Sequence, residues 1–117
     1  MKPSADDFLP LAPAFLHILL ALAGEELHGY GIIQEISRQS EGRYQLGPGT
    51  LYDNLQKMMT HGMVEEAPSP AGNDDPRRRY YRLTRFGSAV LNADVKRLEG
   101  VVRQAKLHLR PAAGRAK

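Results

Sequence analysis

A cluster of arginines near residue 80 is the strongest chemical signal in this chain. Arg77, Arg78, Arg79, Arg82 and Arg85 place five guanidinium groups within nine residues. Guanidinium groups match the geometry of phosphate oxygens, and phosphate neutralisation supplies most of the non-specific affinity of proteins for DNA. The cluster therefore favours a polyanionic partner, although a charged hairpin exposed to solvent would have the same composition.

A second polar surface is predicted on a helix that precedes the arginines. This helix is predicted over residues 48–61, after Gly47, and Leu51, Leu55 and Met58 recur along it at spacings of four and three. Such spacing puts the three apolar side chains on one buried face. The remaining side chains face outward, and those predicted to contact DNA are Thr50, Tyr52, Asn54, Gln56 and Lys57.

The roles of these side chains follow from their hydrogen-bonding groups. Carboxamides pair with adenine and lysine pairs with guanine in the major groove, so Asn54, Gln56 and Lys57 are candidates for contacts with base edges. The Tyr52 hydroxyl is a candidate phosphate donor, and packing against the preceding helix is its alternative role. Asp53 repels phosphates unless it accepts from a cytosine amino group or pairs with Lys57 one turn later.

Residue patterns typical of catalysis or metal binding are absent from the sequence. Its four histidines have no metal-ligand spacing, and the chain contains no cysteine for a disulfide or a thiolate zinc site. Gly47-Pro48-Gly49 is not followed by the lysine and hydroxyl residue of a phosphate-binding loop. A nucleophile, a base and an orienting group do not occur at a meaningful spacing. We therefore expect a protein that is not an enzyme and binds no cofactor or metal ion.

Length and composition indicate one small domain. The chain has 117 residues and a net charge of +3, and residues 84–117 carry eight basic and two acidic side chains. Residues 8–23 form the most apolar run, which is shorter than the about 20 residues that a membrane-spanning helix needs. This run also lacks the basic start of a secretory signal. We expect a cytoplasmic protein without a membrane partner.

Periodicity and turn residues predict a mainly α chain with a small β-hairpin, an α+β fold. The order of its elements is that of a winged helix-turn-helix, in which one helix enters a DNA groove and a hairpin lies along the DNA backbone. On the second helix, Tyr30, Ile33 and Ile36 are predicted to share one stripe. The predicted elements are a flexible tail over residues 1–7, helices over 13–23 and 29–39, a turn over 25–29, a candidate short strand over 43–46, hairpin strands over 63–67 and 77–83, and a loop over 68–76.

A long C-terminal helix is predicted after Thr84, a residue type favoured at helix N-caps. Apolar residues recur along it with spacings of 4, 3, 4, 3 and 4, which is the seam of a coiled coil. At ~1.5 Å per residue the helix is about 37 Å long, more than a domain of this size covers. Dimerisation is therefore favoured, and a helix that lies across its own core is the alternative.

The first helix is apolar nearly all round, which indicates burial on every face and contact with a partner chain. The predicted organisation is a DNA-binding domain over residues 1–83, a dimerisation helix over 84–110 and a flexible basic tail over 111–117. The residues predicted to form the dimer interface are Phe15, Leu19, Leu91, Val95, Leu98, Val102, Ala105 and Leu109.

Four short segments, in order, resemble the PadR family of bacterial transcriptional regulators, in its short branch with a single C-terminal helix. They are Leu27-His28-Gly29-Tyr30-Gly31-Ile32, Gly49-Thr50-Leu51-Tyr52, Gly62-Met63-Val64 and Arg79-Tyr80-Tyr81-Arg82-Leu83-Thr84. The resemblance implies a two-fold homodimer whose C-terminal helices pack against the partner's terminal helices. It also implies an inverted-repeat operator in double-stranded DNA and, usually, repression.

The resemblance leaves part of the function open. Some members of the family release DNA when a small aromatic or hydrophobic effector binds near the dimer interface, but this chain has no tryptophan to stack on such a ligand. Residues 41–83 carry six basic and six acidic side chains, and Asp53 lies on the predicted DNA face. These features fit the alternative of a winged-helix module that binds proteins and not DNA.

Overall fold

A computed structural model describes residues 3–70, residue 75 and residues 77–109. Four α-helices lie in the described part of the chain, together with a three-stranded antiparallel sheet in the order β1-β3-β2. The helices are α1 (Pro13–Leu22), α2 (Gly29–Gln39), α3 (Pro48–Thr60) and α4 (Arg85–Leu109), and the strands are β1 (Leu27–His28), β2 (Val64–Ala67) and β3 (Tyr80–Leu83). This is the predicted mainly helical fold with a small hairpin.

The sheet contains one strand more than the sequence predicts. β2 and β3 form the expected hairpin, but β1 also pairs with β3, with Leu27 opposite Tyr81. The sequence predicted a turn over residues 25–29, because a strand of two residues has no periodicity of its own. Its formation depends on the edge of β3, which lies far away in sequence.

Residues 43–46 do not form the predicted short strand. The Tyr44 backbone N–H donates to the Ser40 hydroxyl, and this hydroxyl donates to the Tyr44 carbonyl, both at 3.0 Å. These two bonds use the backbone groups that a strand would need and close the segment into a turn after α2. The side chain of Ser40 therefore decides the local structure.

The N-terminal segment differs from the predicted loose tail. Residues Ala5–Phe8 form a 3-10 helix, and the Phe8 ring lies 5.0 Å from the His61 ring and 5.8 Å from the Phe86 ring. Phe8 thus joins the end of α3 to the start of α4. The predicted tail over residues 111–117 lies outside the described residues, as do residues 71–74 and 76 of the loop between β2 and β3.

One apolar core holds α3 and the sheet in place. α1 and α2 pack together in this core, and every α-helix and both hairpin strands contribute buried side chains. The fully or almost fully buried apolar residues include Ile18, Leu19, Leu22, Ile32, Ile36, Leu51, Leu55, Met58, Met63, Val64, Tyr81 and Val90. Burial of this kind supplies most of the favourable free energy of folding.

The first half of α4 belongs to the body of the protein and the second half leaves it. The Thr84 hydroxyl accepts a hydrogen bond from the Gly87 N–H at 2.9 Å, which confirms the predicted N-cap. The last buried residue of α4 is Asp94, whose carboxylate accepts a hydrogen bond from the Arg97 guanidinium at 2.6 Å. The remaining described turns, as far as Leu109, extend beyond the core.

Candidate nucleic-acid interface

One face of α3 lies in the core and the opposite face is open to solvent. Leu51, Leu55 and Met58 are at most 1% exposed, as their spacing predicts. On the outward side, Thr50 and Lys57 are exposed, and so is Asp53. Asp53 and Lys57 form no ion pair within the described part of the chain, so the structure does not neutralise Asp53 in this way.

Asn54 lies at the edge of this outward surface and is half-buried. Its side-chain amide donates to the Thr50 carbonyl at 2.8 Å, one turn earlier in the same helix. This bond fixes the orientation of the amide and uses one of its two N–H groups. The other N–H and the oxygen stay available for a base edge.

The Tyr52 ring lies between α3 and the start of α2. It is 50% exposed, and its hydroxyl lies against the backbone of Gly29. A Cβ atom added at Gly29 would overlap this hydroxyl and the adjacent ring carbon. The packing role that the sequence left as an alternative for Tyr52 is therefore observed, together with a half-exposed ring.

A groove of about 950 Å³ separates α3 from the wing, which we define as β2, β3 and the described residues between them. The start of α2 also lines the groove. Tyr52, Gln56 and Met59 line it from α3, because their spacing of four and three puts them on one flank of that helix. The other lining residues are His28, Gly29, Tyr30, Leu55, Glu66, Asp75, Arg77, Arg78, Arg79 and Tyr81.

Three of the predicted phosphate-binding arginines line this groove, and each lies next to a carboxylate. Arg77 and Arg78 approach Asp75 at 3.3 and 4.0 Å, and Arg79 approaches Glu66 at 3.1 Å. The backbone N–H of Arg77, and then its guanidinium group, lower the pKa of Asp75. Since the arginine side chains are at least half exposed, these pairs contribute little to stability and exchange readily with other anions.

Arg82 points away from the groove. Its position in β3 alternates with that of Tyr81, and it is opposite Glu65 in the neighbouring strand. Its guanidinium group contacts Glu65 at 2.8 Å and Glu26 at 3.5 Å, and the hydrogen bond from Arg82 to Glu65 is the main cause of its raised pKa. The structure thus separates Arg82 from the three groove arginines.

His28 belongs to the groove, although sequence reasoning did not assign it a role. Its Nδ1 atom accepts the Gly31 backbone N–H at 3.2 Å and caps α2, while its ring meets the Tyr80 ring edge-on at 5.4 Å. Burial, and then the positive charge of Arg78, lower the pKa of His28 below 6.5. Histidine three residues before a helical glycine was the available signal, but histidine is an uncommon cap.

The exposure of Tyr30 differs from the prediction that it shares a stripe of α2 with Ile33 and Ile36. Ile36 is fully buried and Ile33 is partly buried, but Tyr30 is 63% exposed and lines the groove. The difference arises at the helix start, where Tyr30 is the second residue of α2 and extends past the edge of the core. The groove is therefore lined by a side chain of α2 that the sequence did not single out.

Neither a metal centre nor a membrane-spanning element is found in the described residues. No group of three or more His, Cys, Asp or Glu side chains is arranged to hold a metal ion among them. Within the same residues, every helix is too short or too polar to cross a bilayer.

Comparison with known proteins identifies the chain. The family model described as "Transcriptional regulator PadR-like family" matches residues 18–93, which contain α2, α3, the wing and the first part of α4. The chain belongs to the PadR family. Proteins of this family are DNA-binding transcriptional regulators and not enzymes, which confirms the class of function expected from the sequence.

Relatives of this PadR-family protein include the transcriptional regulator Rv3488 of Mycobacterium tuberculosis. The two are 37% identical over 89 residues, or 76% of this chain and 78% of the relative. Among solved structures, a PadR family transcription regulator from Clostridium difficile R20291 has the same fold, with a TM-score of 0.70, 21% identity and coverage of 84% and 99% of the two chains.

A third similar protein is BpsR of Bordetella bronchiseptica, whose DNA binding is regulated by 6-hydroxynicotinic acid. Its TM-score is 0.63 at 18% identity, and the match covers 86% of this chain and 69% of that one. At this identity the likeness shows the fold alone. The winged helix-turn-helix predicted for this PadR-family protein is thereby confirmed.

The residues predicted for the dimer interface divide into two groups in this PadR-family protein. Leu19 is 0% and Leu91 is 8% exposed, so both pack inside the core of the single chain, and Phe15 is partly buried against the same core. The others lie further along α4, where Val95 is 36%, Val102 is 49% and Leu109 is 79% exposed, and Leu98 and Ala105 are half-buried. Val101 and Leu107, which the sequence analysis did not select, are also about half exposed.

Proposed function

We propose that this PadR-family regulator is a homodimer that binds an inverted-repeat operator in double-stranded DNA and represses transcription in the cytoplasm. One observation carries the proposal: the outward face of α3 and the groove arginines border the same groove. A helix and a basic hairpin side by side match the two elements with which a winged helix-turn-helix holds a duplex. Each contact proposed below follows from this arrangement.

In this proposal the first turn of α3 enters the major groove. Gln56, Asn54 and Lys57 read base edges, while Thr50 and the ring of Tyr52 lie near the DNA backbone. The unpaired N–H groups at the start of α3 favour a nearby phosphate. Asp53 lies on the exposed face between these side chains, and it favours a cytosine amino group over a phosphate.

The groove arginines hold the wing on the phosphate backbone or in the minor groove. Asp75 and Glu66 keep Arg77, Arg78 and Arg79 in place before DNA arrives. Phosphates replace these carboxylates on binding, because the pairs are exposed and weak. Arg82 reaches a backbone phosphate only after it leaves Glu65 and Glu26, and its contribution is therefore smaller.

The second half of α4 forms the dimer in this proposal. Val95, Leu98, Val102, Ala105 and Leu109 provide an apolar seam, and Leu19 and Leu91 support it from inside the core. Paired helices of this kind present two copies of α3 on one side, separated by about one turn of DNA.

A small aromatic or hydrophobic effector near the dimer interface is the proposed means of release. The comparison with BpsR supports this part of the proposal, since its DNA binding responds to an aromatic acid. An effector that favours a dimer with the wrong spacing between its α3 helices weakens operator binding by shifting the population of states.

The test begins with selection of bound duplexes from a random DNA pool, which yields the half-site sequence and spacing. We expect tight, salt-sensitive binding to an inverted repeat by the wild-type chain, and loss of binding in the double variant Tyr52→Ala/Arg78→Ala. Arg38→Ala is the matched control, because Arg38 is exposed and ion-paired at the far end of α2. Equal affinity of the double variant and the wild type contradicts the proposal.

The alternative of a protein-binding module rests on the ion pairs of the wing and on Asp53. If these carboxylates neutralise the surface permanently, the chain does not bind DNA even in dilute buffer, where phosphate contacts are strongest. A gel shift at low salt with the DNA upstream of its own gene separates the two functions. A shift supports the regulator, and its absence supports the module.

A further inference from the structure

We propose that Tyr30, which lines the groove, donates a hydrogen bond to a DNA phosphate. Tyr52 is instead a positioning residue that joins α3 to α2. This inference rests on the proposed function and assigns roles within the same interface. From the sequence, Tyr52 is expected to contact a phosphate and Tyr30 is expected to share a stripe with Ile33 and Ile36. The geometry points to the opposite division of roles.

The Tyr52 hydroxyl faces the protein. It lies against the Gly29 backbone, where even a single added carbon would overlap it. Tyr81, which is 4% exposed, forms part of the floor of the groove. Burial, and then the nearby Tyr52 phenol, raise the pKa of Tyr81. A hydroxyl that reaches both Gly29 and the neighbourhood of Tyr81 points into the groove floor and away from a duplex that lies across its rim.

The Tyr30 hydroxyl faces solvent. Tyr30 is 63% exposed, and within the described part of the chain its hydroxyl has no hydrogen-bond partner. It lines the same groove as Arg77, Arg78 and Arg79, but from the start of α2. A phosphodiester strand held by these arginines therefore passes within reach of Tyr30.

Tyrosine at the start of a helix suits a phosphate for two reasons. Its hydroxyl is a neutral donor of the kind that protein–DNA interfaces use on backbone oxygens. The first turn of a helix also carries partial positive charge, which favours an anion nearby. His28 already accepts the Gly31 N–H at the start of α2. The Tyr30 hydroxyl therefore provides an additional donor at the same end of the helix.

The test compares Tyr30→Phe and Tyr52→Phe on the full-length chain. The probes are the duplex obtained by selection and a random-sequence duplex of about 30 base pairs. We expect Tyr30→Phe to weaken binding to both duplexes roughly tenfold, which corresponds to one hydrogen bond to a charged group. Tyr52→Phe keeps the ring against Gly29 and should bind within about twofold of the wild type.

Salt dependence supplies a second readout. The loss in Tyr30→Phe should be the same at every salt concentration, because a neutral donor releases no counterion. Arg78→Ala should instead reduce the slope of log affinity against log salt by about one for each phosphate that the arginine neutralises. Tyr44→Phe is the matched control, since this tyrosine stacks on His17 at 4.2 Å and does not line the groove.

Each result supports or overturns the inference. Unchanged affinity in Tyr30→Phe overturns it and leaves the regulator function intact, as does a loss in Tyr30→Ala alone, which indicates ring contact without a hydrogen bond. A tenfold loss in Tyr52→Phe also overturns it. If the wild-type chain binds neither duplex, the proposed function and this inference fail together. Circular dichroism of the variants shows whether a loss reflects unfolding.

Discussion

At the scale of single residues, the structure beside the groove depends on a single hydrogen-bond acceptor. The Nδ1 atom of His28 caps α2 only while it carries no proton, because it must accept the Gly31 N–H. Burial and the charge of Arg78 lower the pKa of His28, and both favour this unprotonated form. His28 also meets Tyr80 across the sheet. Protonation of His28 therefore affects both the N-terminal end of α2 and β3.

The cap predicts that folding stability falls in mild acid. Because the pKa of His28 is below 6.5 in the folded protein, the unfolded chain takes up the proton first. The stabilisation is complete above about pH 6.5 and is lost as the pH falls through the lower folded-state pKa. We expect the melting temperature, followed by circular dichroism from about pH 8 to about pH 5, to fall less in His28→Asn than in the wild type.

Asparagine is the matched replacement because its oxygen accepts the same N–H without titrating in this range. The difference between the two pH profiles isolates His28 from the other titrating groups. Parallel profiles would show that the cap does not contribute to the pH dependence.

At the scale of elements, the sequence predicted what depends on local patterns. The start of α4 at Thr84 and the buried face of α3 follow from a cap residue and a helical repeat, and both are observed. β1 was not predicted, because two residues become a strand only when β3 offers its edge. Tyr30 was misplaced because helical periodicity gives the face of a side chain but not where the core ends. Contacts between distant segments decide such features.

The junction of β2 and α4 provides a prediction at this scale. Gly87 lies against the Met63 carbonyl, so that an added Cβ atom would overlap backbone, whereas Gly100 has open space around it. We expect Gly87→Ala to lower the free energy of unfolding by about 2–3 kcal/mol, because backbone must move to admit the methyl group. Gly100→Ala should instead raise it by up to about 1 kcal/mol through helix propensity.

Urea denaturation of both variants measures these changes, and the pair differs only in its surroundings. Similar effects of the two substitutions would mean that the junction adjusts without cost. The wing would then be less firmly fixed to α4 than the structure indicates.

At the scale of the whole molecule, the chain is more extended than a compact domain of its length. Its radius of gyration is 17.3 Å, compared with about 13 Å for a compact domain of this size, and its longest dimension is 63 Å. The second half of α4 contributes to this extension, since nothing after Asp94 is buried in the described helix. The heptad spacing predicted this helix, but the sequence could not show that Leu19 and Leu91 turn into the protomer's own core.

Dimerisation through α4 predicts that charge on its seam separates the protomers. Val102→Glu puts a carboxylate in the proposed apolar interface, where its desolvation is costly. We expect this variant to sediment as a monomer and its melting temperature to lose the concentration dependence of a dimer. Gln104→Glu adds the same charge two residues away, off the seam, and should remain dimeric. A dimeric Val102→Glu variant contradicts the proposed interface.

The close approach of Tyr52 to Gly29 constrains how this family can diverge. A side chain at position 29 would displace the Tyr52 hydroxyl from this contact, so the two positions should covary among relatives. Lineages that keep an aromatic residue at 52 should retain glycine at 29. Those that acquire alanine or serine at 29 must move the ring at 52 out of this contact, which loosens the link between α2 and α3.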